Sequence, residues 1–362
     1  MTFPLDPSVL ASQPLNHARA LPAPFYTEPS TLAHETRAIF ARYWQLVAHT
    51  SQLSASGDHI VSEIAGVPVL VVRGEDGKLR AMHNICRHRA GPLALCDGRG
   101  ARALRCRYHG WTYTLEGQLR SAPEMDDAEN FDMTAIRLHP LRVDTWRGLV
   151  FAALDPKIEI AELLVGMDQR LGKRDFSSYV FDRRVSYEVA CNWKVYIDNY
   201  LEGYHVPHIH PELNKLLDYR SYVTEARHWH SLQYSPMQAN EETAGNFYGD
   251  GEALYYYLWP NIMLNILPNR LQTNRVVPLG IDRCRVEFDY LYPADGMPDD
   301  EGRRAEDRRF SEEVQHEDGD ICFAVQKRLA SGVYEPGRLN PKRENAVHHF
   351  HELMRQAWRE SL

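Results

Sequence analysis

No apolar run in this chain approaches the roughly 18 residues that a membrane-spanning helix needs; Val67–Val72 is six residues long. Positive charge is also scarce. The 41 Lys and Arg are outnumbered by 49 Asp and Glu, for a net charge of −8, which argues against a nucleic-acid partner. The opening residues, MTFPLDPSVL, hold neither a basic stretch nor an apolar core, so no secretory signal and a cytoplasmic protein are expected. No G-x-G-x-x-G occurs, which removes the usual dinucleotide-binding signature. Cysteines number six. Four of them, Cys96, Cys191, Cys284 and Cys322, are widely spaced and are expected to be reduced core residues. What remains is ordinary for a globular protein: 362 residues, 44% hydrophobic and 25% charged, enough for two domains.

The other two cysteines fall in NICRHRAGPLALC and LRCRYHGWTYT. Cys86 and His88 are followed, after seventeen residues, by Cys106 and His109. This C-x-H-x17-C-x2-H pattern supplies one thiolate and one imidazole from each of two loops. That is the ligand set of a [2Fe–2S] centre with Cys on one iron and His on the other. A structural zinc site also uses Cys2His2, but pairs Cys with Cys and His with His, whereas each pair here is mixed.

Around the motif the chain reads as all-β. Val67–Arg73 and His59–Ile64 are β-branched runs joined by Ala65-Gly66, a hairpin pattern. Leu79–Ile85 leads into the first loop, Arg102–Arg107 into the second, and Trp146–Leu154 closes the segment. Thr31–Val47 has helical spacing in Leu32, Ile39, Phe40, Tyr43 and Trp44. Further on, Val185–Ala190, Ala253–Leu267 and Arg283–Tyr292 read as strands. Asn192–Tyr204, Asp300–Leu329 and Glu344–Trp358 read as helices, the last with Val347, Phe350, Met354 and Trp358 on one stripe. The predicted class is α+β. The expected organisation is an arm and helix at 1–45, a cluster domain at 46–155 and a second domain at 156–362.

CNWKVYIDNYLEGYHVPHIHPEL packs three histidines and three carboxylates into fifteen residues. Two His and one carboxylate with open positions is the non-haem iron(II) arrangement. Spacing alone favours His205 with His208, because residues three apart share a helix face. His205 with His210 requires a helix break, which Pro207 and Pro211 are expected to supply.

Over nearly its whole length the chain resembles the oxygenase (α) components of Rieske non-haem iron oxygenases. The resemblance rests on the Cys/His motif, on N-x2-E-x2-H-x4-H as Asn199, Glu202, His205 and His210, and on the ED pair in VQHEDGDICFAVQKRL. It implies a Rieske β-sandwich-type [2Fe–2S] domain, a helix-grip catalytic domain with an antiparallel sheet, and a homotrimer. It implies that His205, His210 and Asp318 bind a mononuclear Fe(II), with Glu317 and Asp320 as alternatives to Asp318. It implies that Glu202, with Asp198 as runner-up, links the iron site to His109 of an adjacent subunit. One departure is Arg87, where many relatives have Pro; an added cation there favours the reduced cluster.

The resemblance also implies a separate NAD(P)H-dependent flavin and iron–sulfur reductase, with O2 as co-substrate. Within the family the chain looks closest to the choline, carnitine and betaine monooxygenases, on ALYYYLWPNIMLNILPN and TNRVVPLG as well as the two site segments. A quaternary ammonium or N-methyl compound is the favoured substrate, since aromatic faces attract such cations. Phe247, Tyr248, Tyr255, Tyr256, Tyr257 and Trp259 are the candidate rings, of which one or two are expected in the pocket. Arg270 and Arg275 offer a bidentate carboxylate site instead. The alternatives are a ring-hydroxylating oxygenase for an aromatic acid and, more remotely, a Rieske electron carrier without oxygenase activity.

Overall fold

The computed structural model describes residues 7–237, 248, 251–294 and 301–361. They form two compact units. One comprises Phe40–Ile160 with Lys173–Phe181. The other joins the described residues up to Ile39, Ala161–Gly172 and those from Asp182 onward. Among the described residues no helix is long and apolar enough to cross a membrane.

The first unit is built on a six-stranded antiparallel sheet. Its strands are β1 (Gln45–His49), β2 (His59–Ile64), β3 (Val67–Arg73), β4 (Leu79–His83), β8 (Pro140–Trp146) and β9 (Leu149–Ala153), in the order β1-β9-β8-β4-β3-β2. Between β4 and β8 the chain makes a small sheet of β5 (Leu104–Arg105), β6 (Thr112–Tyr113) and β7 (Leu119–Ser121). The β2–β3 turn follows from its residues: Ala65 and Gly66 both take positive φ, 52° and 79°, as a two-residue turn matching strand twist requires. The run in β3 is continuous rather than alternating because both faces are covered. Val69 and Val71 pack with Val47, Ile60 and Val150. Leu70 and Val72 pack with Cys86, Leu104, Cys106 and Trp111. The Cys-bearing loops thus sit on one face of a strand already anchored from the other.

The second unit centres on a seven-stranded antiparallel sheet. Its strands are β10 (Tyr179–Val189), β11 (Val223–Ala226), β12 (His230–Pro236), β13 (Glu252–Leu258), β14 (Ile262–Leu267), β15 (Arg270–Gly280) and β16 (Arg283–Pro293), in the order β10-β16-β15-β14-β13-β12-β11. The helix Asn345–Arg359 buries Val347, Phe350, Met354 and Trp358, with the Phe350 ring against Trp193, Tyr257 and Trp259.

The long helix Glu301–Leu329 behaves differently. Its buried positions are Asp307, Ser311, Gln315, Cys322, Gln326 and Leu329. They fall on the three-and-four spacing of one helix face, yet most are polar.

Three expectations need correction. Thr31–Val47 is helical only to Phe40, through Pro29–Glu35 and a wider turn at Thr36–Phe40, and Gln45 already begins β1. Phe40, Tyr43 and Trp44 are buried, so apolar spacing ran on past the helix. The helix read at Asn192–Tyr204 is capped by the Asn192 side chain, which accepts from the Lys194 N–H at 3.0 Å, and stops at Tyr200. Pro207 does not break it. Pro207 lies in the first turn of a short helix, Val206–Ile209, where its fixed φ helps initiation. Pro211 does act as expected: His210 before it is extended, with φ −116° and ψ 80°, the bias a following proline imposes. Asp300 lies outside the described residues, and the long helix begins at Glu301.

Candidate functional site

The two Cys/His loops share one backbone frame. The Cys86 N–H donates to the Gly91 carbonyl at 2.9 Å and the Ala90 N–H to the Cys86 carbonyl at 3.1 Å. Likewise the Cys106 N–H donates to the Trp111 carbonyl at 2.8 Å and the Gly110 N–H to the Cys106 carbonyl at 3.1 Å. Each loop reverses through a positive φ at the same place, 56° at Ala90 and 76° at Gly110. The unequal Cys–His gaps are therefore absorbed within identical turns, moving only the histidine.

Cys86 and Cys106 are buried, whereas His88 and His109 are exposed. The imidazoles meet edge to face with centroids 4.7 Å apart, and His88 stacks on Trp111. Gly91 is required for this approach, because a Cβ there would lie 2.7 Å from Cys106 Sγ and 2.9 Å from Tyr108 Cβ. Two supports were not singled out in the sequence. Tyr113 Oη lies 3.2 Å from Cys86 Sγ and accepts the Arg87 N–H at 3.0 Å. Burial and the Cys86 thiol push the phenol well above its ordinary pKa, keeping it protonated. Asn84 accepts the Leu93 and Ala94 N–H groups at 3.0 and 3.1 Å, pinning the end of the first loop. Thiols turned inward and imidazoles turned outward from paired loops suit a [2Fe–2S] cluster with mixed ligation. The Arg87 guanidinium reaches His139.

In the second unit His205, His210 and Asp318 each bring a ligand atom to one point, all within 4.8 Å of one another. Nε2 of His210 lies 3.0 Å from Asp318 Oδ1 and Nε2 of His205 lies 3.8 Å from it. The far nitrogen of each ring meets a carboxylate. Nδ1 of His205 is 2.6 Å from Glu202 Oε1, and Nδ1 of His210 is 2.6 Å from Glu317 Oε2. Both rings are thus held with Nε2 facing inward, the tautomer control that metal-binding histidines use. Burial disfavours the charged form of His210, but Asp318 and Glu317 outweigh it and raise its pKa. Asn199 Nδ2 donates to Asp318 Oδ1 at 2.5 Å and orients that carboxylate. Two imidazoles and one carboxylate converging on one side fit a non-haem iron site with positions left for other ligands.

The other candidates lie elsewhere. His208 is exposed on the short helix, and Asp320 is exposed on the long one. Glu317 stands behind His210 rather than beside Asp318. Asp198 accepts from Tyr26 Oη at 2.7 Å and lies 2.9 Å from His351 Nε2.

A cavity adjoins this point, with an empty volume of about 810 Å³ including its mouth. Tyr248 and Tyr255 line it, whereas Tyr256, Tyr257 and Trp259 are core residues away from it. Phe247 lies outside the described residues. Rings not anticipated complete the wall: Tyr196, Tyr200, Tyr222, Phe288 and Phe310. Arg270 lines the cavity, but Arg275 does not; its guanidinium is spent on Glu287 at 2.7 Å.

Among the remaining cysteines, Cys191, Cys284 and Cys322 are free and buried as expected, and one reading changes. Cys96 is exposed rather than core. Cys191 and Cys284, distant in sequence, have Sγ atoms 4.0 Å apart. Hydrogen bonds from Cys284 and Cys322 draw Cys191 down to about 5, against the effect of burial.

Comparison with known proteins agrees over both units. The family description "Ring hydroxylating alpha subunit (catalytic domain)" matches residues 176–360, and "Rieske [2Fe-2S] domain" matches residues 43–134. The chain is 36% identical to the chloroplastic choline monooxygenase of Arabidopsis thaliana, across 96% of this chain and 84% of that protein. It is 29% identical to the carnitine monooxygenase oxygenase subunit of Escherichia coli K12, across 95% of each. Among solved structures, a quaternary ammonium Rieske monooxygenase described in terms of carnitine oxidation and inter-subunit electron transfer superposes with a TM-score of 0.87, at 27% identity, over 96% of this chain and 99% of that one.

Proposed function

The chain belongs to the Rieske oxygenases, as an α subunit carrying a [2Fe–2S] cluster and a mononuclear iron, and we propose that it is the terminal oxygenase for a small methylated ammonium compound. The observation that carries this reading is the His205, His210 and Asp318 convergence at one wall of a cavity whose lining includes seven tyrosine and phenylalanine rings. When bound, the cluster supplies electrons singly and the iron activates O2 for insertion into a C–H bond.

The chain's own residues set the conditions for that chemistry. Cys86, His88, Cys106 and His109 hold the cluster, and His205, His210 and Asp318 hold the iron. Glu202 and Glu317 fix the two imidazoles, and Asn199 fixes Asp318. The tyrosine and phenylalanine faces favour a cation and exclude bulk water. Hydroxylation of an N-methyl carbon gives a hemiaminal that expels formaldehyde and leaves the amine one methyl shorter. Hydroxylation of another carbon bonded to nitrogen likewise breaks the C–N bond, releasing the amine and leaving an aldehyde, whereas a carbon farther away gives an alcohol, or an aldehyde by loss of water where it already bears a hydroxyl.

Reductant comes from a separate NAD(P)H-dependent flavin and iron–sulfur protein, since no dinucleotide signature is present in the chain. Relay between chains of a homotrimer through Glu202 is supported by the inter-subunit transfer described for the carnitine-oxidising relative. The test is substrate-stimulated NADH and O2 consumption with a surrogate reductase, followed by product analysis. Formaldehyde or an oxidised ammonium compound supports the reading. A hydroxylated aromatic ring as the product overturns it.

A further inference from the structure

Three buried cysteines meet behind the metal site. Cys191 follows strand β10, Cys284 lies near the start of the neighbouring strand β16, and Cys322 lies on the long helix. All three are free and at most 1% exposed. The Sγ atoms of Cys191 and Cys284 are 4.0 Å apart. Cys322 adds a hydrogen bond to Cys191, and its Sγ lies 3.9 Å from the Val195 carbonyl oxygen. Neither metal site uses any of them.

The three are not equivalent. Hydrogen bonds from Cys284 and Cys322 stabilise Cys191 as the thiolate and lower its pKa. The same bonds, together with burial, hold Cys284 and Cys322 as thiols. The thiolate is the nucleophilic form of cysteine. One nucleophile thus stands beside a protonated partner, the arrangement of an attacking and a resolving cysteine.

Burial ordinarily makes a cysteine inert, because reagents in solution do not reach it. Here the reagent arises next to the thiols. Cys322 follows Asp318 by four residues on one helix, about one turn. Tyr196 lines the catalytic cavity and stands within electrostatic reach of Asp318 and of all three cysteines. O2 that takes up two electrons and is not spent on substrate leaves that cavity as hydrogen peroxide.

We propose that Cys191 and Cys284 form a redox-active dithiol that consumes hydrogen peroxide produced in the catalytic cavity. The Cys191 thiolate attacks one peroxide oxygen, the O–O bond breaks and hydroxide leaves, so that Cys191 becomes a sulfenic acid. The Cys284 sulfur then attacks the Cys191 sulfur. The S–O bond breaks, and the Cys284 proton departs with the hydroxyl as water. The two sulfurs lose two electrons and the peroxide gains them, ending as one water and one hydroxide. The sulfurs must close from 4.0 Å to a bond of about 2.05 Å. Cys191 sits in the bend between β10 and the helix at Trp193, so that approach breaks no strand or helix.

The test is a thiol map of the full-length holoenzyme after near-stoichiometric hydrogen peroxide. Remaining thiols are alkylated in denaturant and the peptides are read by mass spectrometry. The Cys191 and Cys284 peptides should appear joined, lighter than the reduced pair by two hydrogens, and dithiothreitol should return both thiols. Cys284→Ala should leave Cys191 as a sulfenic acid that dimedone captures. Cys191→Ser should leave Cys284 and Cys322 fully alkylated. Where a variant does not fold, the wild-type map decides alone. A map in which Cys191 and Cys284 stay reduced while Cys96 oxidises overturns the proposal, and a bond from Cys191 to Cys322 overturns the pairing. Turnover with a surrogate reductase and no substrate, with catalase in solution, tests the source. The joined pair should still form, because the peroxide arises inside the protein. Its complete suppression by catalase overturns the cavity as the source.

Discussion

Glu202 Oε1 lies 2.6 Å from His205 Nδ1, while its Oε2 accepts the backbone N–H of His205 at 3.0 Å and that of Tyr204. One carboxylate therefore fixes both the ring and the backbone of the same residue. Glu202→Gln keeps the size but loses the charge. Both metal centres should remain, because neither depends on Glu202 as a ligand. In a single turnover started from the reduced cluster with substrate and O2, cluster reoxidation should slow about tenfold or more, the scale expected on losing charge-assisted bonds. Reoxidation at the wild-type rate would remove Glu202 from the relay. Mixed oligomers of Glu202→Gln and His109→Ala chains should recover part of the activity if relay runs between chains.

The exposure of His208 and the burial of His210 predict opposite outcomes for their alanine variants. His210→Ala should lose mononuclear iron and turnover while the visible spectrum of the cluster survives. His208→Ala should retain most of its iron. Metal analysis of the two purified variants decides between them, and the reverse result would reassign the ligand.

Glu317 presents the matching case behind His210. Glu317→Ala should leave His210 able to bind but free to rotate, lowering iron affinity by about 10–100-fold. Competition with a chelator, read by residual iron, measures this. An unchanged affinity would mean that packing alone orients the ring.

Two neighbouring residues in the first cluster loop should respond in opposite directions. Gly91→Ala places a Cβ 2.7 Å from Cys106 Sγ and should lower cluster content, read as iron and acid-labile sulfide per chain. Ala90→Gly relieves a positive φ of 56° and should stabilise the unit by about 1 kcal/mol, visible in chemical denaturation followed by the cluster's absorbance.

Replacing His88 or His109 by Cys should keep iron bound and lower the cluster's reduction potential, because thiolates favour the oxidised form more than imidazoles do. A redox titration with no shift in either variant would count against their assignment.

The paired Cys/His loops and the hairpin at Ala65-Gly66 were legible because their signals are local, in spacing and turn chemistry, whereas the convergence of His210 and Asp318 was expected only from the family resemblance, spacing alone favouring His208. The supports were not. Tyr113 reaches Cys86 across 27 positions of sequence, and Glu317 reaches His210 across 107, so no local pattern links them. The inner face of the long helix was hidden for a different reason. Sequence periodicity looks for apolar stripes, and this stripe is largely polar because Ser311 and Gln315 line a cavity, Asp307 pairs with Arg270 and Gln326 accepts the Asn192 N–H. The aromatic wall was only partly visible since strand residues alternate. In β13, Tyr255 lines the cavity whereas its neighbour Tyr256 turns toward His230.

The long helix places Asp307, Ser311, Gln315 and Asp318 on one line, so a single rod carries both the carboxylate that meets His205 and His210 and the side chains that hold Arg270. One inserted residue would swing everything beyond it by about 100°, taking Asp318 off the line, while three or four would restore the face and lengthen the cavity by a turn. The spacing between those side chains is therefore graduated in helical turns, and finer adjustment of the cavity has to come from the strands and loops opposite.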